Sequence, residues 1–165
     1  SKIEMLGIAR RGATGADFAG DDAGDAGFLV MMNEIIQTRP DVHRGWLEAE
    51  LDAQIFLSDT DNANAVAKMA DDQTEGMDRK ILWASLYRDE NRVNKLTLDF
   101  IFTDKVRNML NASTEFLAGK KKFGKRTTLR PQSVYDEVAR QVLADRGLES
   151  PLGKIDGVPM SEYRP

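Results

Sequence analysis

The chain has 165 residues, of which 41% are apolar and 30% are charged, so it is long and apolar enough for one ordinary domain and is not disordered throughout. Its formal net charge of −4 argues against a general nucleic-acid or anionic-membrane surface, which needs a concentrated positive field. The sequence has no cysteine, which excludes disulfides, thiolate catalysis and cysteine-ligated metal sites within it.

A glycine- and aspartate-rich loop leads into the clearest apolar run of the sequence. Phe28–Met32 is uniformly apolar and predicts a short strand buried on both faces, although periodicity alone does not separate it from a buried helix segment. The aspartates before it invite a calcium hypothesis, but their spacing does not match the ligand pattern of an EF-hand loop. Because aspartate and glycine are common turn residues, a solvated turn is favoured and no metal site is predicted.

The strongest helical pattern covers Pro40–Leu57. Its apolar residues span so broad an arc that we expect burial on more than one side. Trp46 lies within this pattern and is predicted to pack in the core. His43, the only histidine, lies early in the helix, where a solvated or capping role is expected.

Shorter elements follow in the middle of the chain. A helix is predicted over Ala63–Ala70, and another over Met77–Tyr87, with Thr74 as its cap and Trp83 surrounded by apolar positions. Leu96–Phe102 alternates in polarity, which predicts either a half-buried strand or an extended connection over the core.

The last two predicted helices carry clear capping signals. Thr103 is predicted to cap a helix that includes Phe116 on its apolar face. Ser133 is predicted to cap the final helix, which runs to Asp145, with Asp136 in the position of a capping-box acid.

Two segments outside these helices have distinctive compositions. Gly119–Arg130 concentrates basic residues around one phenylalanine, which is compatible with a phosphate or nucleic-acid contact. The favoured interpretation is a lysine-rich helix C-terminus followed by an exposed loop, so no nucleic-acid partner is predicted. Residues 148–165 are rich in proline and glycine and predict an extended tail without its own core, lying on a surface.

The sequence offers no recognisable catalytic constellation. It contains neither a Walker-type phosphate loop nor a GxGxxG fingerprint, and His43 is the only imidazole that could serve as a base. Paired carboxylates on amphipathic helices usually mark the solvated face, so no pair is assigned to acid–base chemistry. We therefore predict a protein that is not an enzyme and that needs no cofactor.

The order of several segments resembles a known family. The segments are ATGADF, DAGFLVM, RPDVHRGWLEAELDAQIFL, LWASLY, DFIFTDKVRNML and LRPQSVYDEVARQVLADRGL. Together they resemble the C-terminal half of periplasmic substrate-binding proteins of ABC importers, in the nitrate/sulfonate/taurine class. The resemblance runs from about Ala13 to Pro159 and covers most of the chain.

This resemblance implies a helix-rich α/β fold, part of the two-lobed type II periplasmic-binding-protein fold. The chain would be a single incomplete lobe over residues 1–165, with a hinge or cleft loop and returning strand at 13–32. The implied partners are a small-molecule solute, an ABC permease and a missing N-terminal half of the same protein, and the implied location is periplasmic or extracytoplasmic.

The resemblance also implies where ligand contacts lie. Thr14, Gly15 and Asp17 would lie near the hinge and cleft, and Asp25 would occupy a comparable position just before the apolar run. An aspartate-rich cleft suits a cationic or hydrogen-bond-donating solute better than a bare anion such as nitrate.

Two alternatives belong to other functional classes. One is a non-catalytic helical interaction or regulatory domain that shares the packing pattern. The other is a relative of pyrimidine-precursor synthases, enzymes that share the fold but rely on a cysteine- and histidine-rich segment. The absence of cysteine disfavours this second alternative. A large exposed apolar face or self-association would favour the incomplete-lobe hypothesis over a self-contained helical domain.

Overall fold

A computed structural model of the chain describes residues 2–10, 12–13, 27–87, 98–122, 128–153, 155 and 157–165. Over these residues the regular structure consists of α-helices and short 3-10 turns, and none of the described segments forms a β-strand. The helix-rich character predicted from the sequence is therefore confirmed. The helices are α1 (Lys2–Met5), α2 (Asn33–Thr38), α3 (Pro40–Ser58), α4 (Ala63–Gln73), α5 (Arg79–Tyr87), α6 (Asp104–Gly119) and α7 (Glu137–Asp145).

The strand predicted for Phe28–Met32 is not formed in the structure. These residues have no regular secondary structure, and the carbonyl of Met32 instead accepts hydrogen bonds from the N–H groups of Ile35 and Ile36 at the start of α2. A strand needs a neighbouring strand to share its hydrogen bonds, and the described residues contain no strand that could play this part. The side chains predicted to be buried on both faces are consequently exposed, except for half-buried Met31.

The chain divides into two compact units. Unit 1 contains Ser1–Phe28, Asp52–Leu98 and Gly153–Pro165, and unit 2 contains Leu29–Leu51 and Asp99–Leu152. Each unit is therefore assembled from segments that are far apart in the sequence.

In unit 1, helices α4 and α5 pack against each other. The buried residues of α4 are Ala63, Val66 and Ala67, and those of α5 are Trp83, Ala84 and Tyr87. Small residues on one helix leave room for the rings of the other, which is how interiors reach dense packing. The predicted burial of Trp83 is confirmed, since none of its surface is exposed.

The ends of these two helices are capped differently from the prediction. Thr74 does not begin α5 but ends α4, because its N–H bonds the carbonyl of Asp71 at 3.2 Å and its hydroxyl donates to the carbonyl of Ala70 at 2.7 Å. The cap of α5 is Asp78, whose carboxylate accepts from the N–H of Lys80 at 2.8 Å. A threonine hydroxyl can accept from an N–H at the start of a helix or donate to a carbonyl at its end, so the residue type alone does not indicate which end it caps.

The core of unit 2 joins residues from α3, from the segment before α6 and from α7. Its buried members are Leu51, Phe100, Ala139, Val142 and Leu143. Partly buried apolar side chains surround this cluster, namely Leu47, Ile101, Val138, Leu148 and Leu152. The final helix therefore contributes Val142 and Leu143, together with Ala139, to the core of unit 2.

The inward face of α3 in unit 2 differs from the prediction. His43, Leu47 and Leu51 follow one another at intervals of one helical turn. His43 is only 7% exposed, in contrast to the solvated or capping role expected for it. Trp46 was expected in the core and is 55% exposed. Apolar residues around most of the helix circumference conceal which face is inward, so the sequence pattern could not separate these two positions.

Capping of α6 agrees with the sequence, whereas capping of α7 does not. The side chain of Thr103 accepts a hydrogen bond from the N–H of Val106 at 3.4 Å, as predicted. Phe116, expected on the inward face of α6, is exposed. Ser133 belongs to a separate 3-10 turn, and the N-cap of α7 is Asp136, whose carboxylate accepts no capping bond from the helix backbone and instead bonds Phe102 N–H and two arginines.

Candidate functional site

The four residues that the sequence analysis assigns to ligand contact are Thr14, Gly15, Asp17 and Asp25. All four lie outside the described residues, so their assignment stays a prediction. The central part of the predicted basic stretch, residues 123–127, also lies outside them. The candidate functional features that the structure describes therefore lie in the rest of the chain.

The apolar segment, Leu29–Met32, is the most exposed apolar stretch of unit 2. Val30 is 93% exposed, and Leu29 and Met32 are also exposed. Met32 has extended backbone angles, with φ of −64° and ψ of 136°, immediately before α2 begins. An apolar segment with three exposed side chains and an extended backbone at Met32 favours pairing with another strand or packing under another apolar surface.

The free energy available at this segment is substantial. Fully burying a valine, leucine or methionine side chain contributes about 1.5–3 kcal/mol each. Soluble proteins seldom leave a continuous run of such residues in water unless it meets a partner. The apolar segment is therefore the described feature that most directly indicates an interaction.

A buried carboxylate, Asp136, forms a second distinctive arrangement in unit 2. Its Oδ2 accepts from the backbone N–H of Phe102 at 3.0 Å, from Arg107 at 3.0 Å and from Arg140 at 2.9 Å. Oδ1 accepts a further bond from Arg140 Nε at 3.2 Å. The side chain of Asp136 is 8% exposed, whereas both arginines reach solvent.

These contacts determine the protonation of Asp136. Burial alone would raise the pKa of its carboxyl group, but hydrogen bonds from Arg140 and from Phe102 N–H, with the charges of Arg140 and Arg107, hold that pKa below its ordinary value. The carboxylate is thus ionised and fully partnered. Such a group stabilises the junction between α6 and α7, and it is neither a general base nor a vacant anion site.

An open groove of about 330 Å³ lies beside Tyr135 in unit 2. The ring of His43 lies 5.9 Å from the ring of Tyr135. Arg44 lines the groove but already bonds Glu48 at 2.8 Å and Asp145 at 2.6 Å. Because its one described cation is neutralised in this way, the groove has no strong preference for an anionic ligand.

Unit 1 contains an aromatic centre around Trp83. The ring of Tyr163 lies 5.8 Å from the ring of Trp83, edge-on at 66°, and the hydroxyl of Tyr87 donates to the carbonyl of Leu57 at 2.9 Å. Burial, with the charge of Asp59, raises the pKa of Tyr87 to about 12, so its hydroxyl remains protonated. The indole N–H of Trp83 is buried and has no hydrogen-bond acceptor among the described residues.

Comparison of the chain with protein-family models, with curated proteins and with solved structures finds no match in any of the three. In the described part of the chain, no three histidine or acidic side chains are grouped closely enough to hold a metal ion. None of its described helices combines the length and apolar content needed to cross a bilayer.

Proposed function

We propose that this chain belongs to a solute-binding component of an ABC-type importer, with a type II periplasmic-binding-protein fold. The observation that carries the proposal is the exposure of the apolar segment, Leu29–Met32, at the position where the family resemblance places a buried strand. Such a segment would be covered by neighbouring strands of a central sheet supplied by further polypeptide. The helix-rich unit that follows it supports the same interpretation, since helices flank the sheet in an α/β fold.

The proposed function is capture of a small polar solute in a cleft between two lobes and delivery of that solute to a membrane permease. Closure of the lobes couples binding to a change of shape that the permease can recognise. The function needs no bond-breaking residues. It implies an extracytoplasmic location and an encounter with the permease in the closed state.

Ligand contact is proposed for Thr14, Gly15, Asp17 and Asp25. Their hydroxyl, backbone and carboxylate groups supply acceptors, so the solute is expected to be cationic or rich in hydrogen-bond donors. Asp25 is the sharpest test position because asparagine preserves its shape and removes only its charge.

The test measures solute affinity of the intact protein by isothermal titration calorimetry. The probes are small organic amines, with nitrate and taurine as anionic comparisons. Asp25→Asn is expected to raise the Kd of the bound amine at least about tenfold, equivalent to about 1.4 kcal/mol, because a carboxylate–ammonium contact is lost. The matched control is Glu75→Gln, which removes one negative charge from an exposed position of unit 1 and should leave the Kd unchanged.

Failure to bind any amine would remove the proposed solute class. Equal affinity in Asp25→Asn and the parent protein would remove Asp25 from the site. Binding of taurine or nitrate alone would keep the transport function and reverse the inference about solute charge.

A second candidate function is a non-catalytic helical interaction domain. The observation that favours it is the exposure of the aromatic side chains Trp46 on α3 and Phe116 on α6. Aromatic side chains of this kind are frequent anchors of protein interfaces. Native mass spectrometry tests the first candidate: a carried small molecule or a second polypeptide completing the fold supports the binding protein. An empty, monomeric chain of 18.4 kDa is expected of a self-contained domain or of an incomplete lobe that cannot bind, and it removes the assigned ligand contacts.

A further inference from the structure

Residues 159–164, here named the strap, include Tyr163, whose ring packs edge-on against Trp83 in the aromatic centre of unit 1. The strap follows Val158, which is buried and whose N–H donates to the carbonyl of Tyr87 at 2.6 Å. Most strap residues are exposed, and its principal inward contact is the edge-on ring of Tyr163 against Trp83. The chain is therefore anchored at Val158, immediately before the strap, whereas the strap itself makes few inward contacts.

One side chain of α4 holds the far end of the strap. The amide group of Asn64 donates to the carbonyl of Glu162 at 3.2 Å, and its oxygen accepts from the N–H of Arg164 at 2.7 Å. The guanidinium of Arg164 bonds carbonyls of the strap itself, at Ser161 and Tyr163. Those bonds stiffen the strap internally without attaching it to the helices.

The closed strap leaves a polar group in an unfavourable state. Trp83 has no exposed surface, and its indole N–H finds no acceptor among the residues that the structure describes. A buried donor without a partner opposes the closed state, whereas release of the strap would let the N–H bond water or another acceptor. Packing of the half-buried Tyr163 ring against Trp83 and the two Asn64 bonds favour the closed strap, whereas the unpaired indole N–H opposes it.

We propose that the strap opens over Trp83 by pivoting at Val158 while α4 and α5 remain packed. Opening exposes the indole ring and its N–H, and closure returns both to the interior. Local opening of this kind is expected where few buried apolar contacts hold a segment.

Tryptophan fluorescence of the full chain tests the proposal. The chain has two tryptophans, and replacing exposed Trp46 by phenylalanine leaves Trp83 as the only indole fluorophore. In this background, Asn64→Ala is expected to raise the acrylamide quenching constant of Trp83 severalfold, because the far end of the strap loses both bonds. The matched control, Asn108→Ala on the exposed surface of α6, should leave quenching unchanged.

Hydrogen exchange of the Val158 amide distinguishes strap opening from unfolding of unit 1. The proposal requires that Asn64→Ala leave the exchange rate of this amide unchanged, since the pivot stays bonded to Tyr87. Unchanged quenching of Trp83 in Asn64→Ala would overturn the proposal. A parallel increase in quenching and in Val158 exchange would also overturn it, because the strap would then move only with the core.

Discussion

The carboxylate of Asp136 accepts four described hydrogen bonds, and the free energy by which they stabilise the fold depends on pH. The pKa of Asp136 is lower in the folded protein than in an unfolded chain, where the pKa of an aspartate is about 3.9. The folded state therefore binds the proton less readily than the unfolded state. The stabilisation is present above the unfolded pKa and is lost as pH falls through the folded pKa.

Asp136→Asn is expected to lower the free energy of unfolding at pH 7 by about 1.5–3 kcal/mol, because bonds between charged partners become bonds to a neutral amide. The difference from the parent protein should shrink as pH falls below the unfolded pKa. Urea denaturation followed by circular dichroism, from pH 7 down to pH 2, measures both quantities. Glu115→Gln, on the exposed surface of α6, is the control, and a difference that stays constant over the whole pH range would contradict the assignment.

The burial of individual side chains was predicted only in part. The sequence indicated that Trp83 is a core residue, because apolar residues surround it on a short helix. It misassigned His43 and Trp46, which are three residues apart on α3. A histidine with an apolar body and polar nitrogens is compatible with either environment, and only its one-turn spacing from Leu47 and Leu51 indicated the inward face.

At the scale of elements, the end of α7 illustrates a stop signal that the sequence predicts well. Gly147 has a φ of +65°. The N–H of Leu148 donates to the carbonyl of Leu143 at 2.9 Å, and the N–H of Gly147 donates to the carbonyl of Ala144 at 3.0 Å. These bonds satisfy carbonyls that a helix end leaves unpaired. Glycine is favoured there because a side chain destabilises the left-handed backbone conformation.

Two glycine-to-alanine substitutions should therefore have opposite effects. An added Cβ meets nothing within 4 Å at Gly147 or at Gly45, which lies inside α3, so backbone preference alone decides the outcome. Gly147→Ala should lower the free energy of unfolding by about 1–2 kcal/mol, whereas Gly45→Ala should raise it by about 0.5–1 kcal/mol. Thermal and urea denaturation of the two variants measures the difference, and effects of equal sign would show that contacts outside the backbone dominate.

Helices were predictable as elements because their signals are local. Periodicity identified α3 to within one residue of its observed end, and the cap at Thr103 identified the start of α6. The predicted strand at Phe28–Met32 failed because strand formation depends on a neighbouring segment, which no local pattern can guarantee. The cap predicted at Ser133 failed for a related reason, since two of the four bonds of Asp136, from Phe102 and Arg107, come from residues about thirty positions away and leave no local signal.

At the scale of the whole molecule, each unit combines segments that are far apart in the sequence, and this explains another difference between the prediction and the structure. The local sequence of the proline- and glycine-rich segment 148–165 predicts an extended tail on a surface. In the structure Ile155 and Val158 are buried in unit 1, and the N–H of Leu98 bonds the carbonyl of Gly153 at 2.9 Å. Isolated apolar residues in an irregular segment have no periodicity, so their burial becomes visible only once the distant helices are assembled.

The apolar segment, Leu29–Met32, yields the prediction that concerns the molecule as a whole. With Val30 93% exposed, the isolated chain should associate with itself as its concentration rises, because burying these side chains is favourable. Val30→Lys should weaken this association in sedimentation velocity and change the free energy of unfolding by less than about 0.5 kcal/mol, as expected at an exposed position. Val42→Lys places the same charge at an exposed valine of α3 and controls for net charge. If both variants weaken association equally, charge repulsion is responsible and the apolar segment is not the contact; if only Val30→Lys does, this segment is the surface that a partner covers.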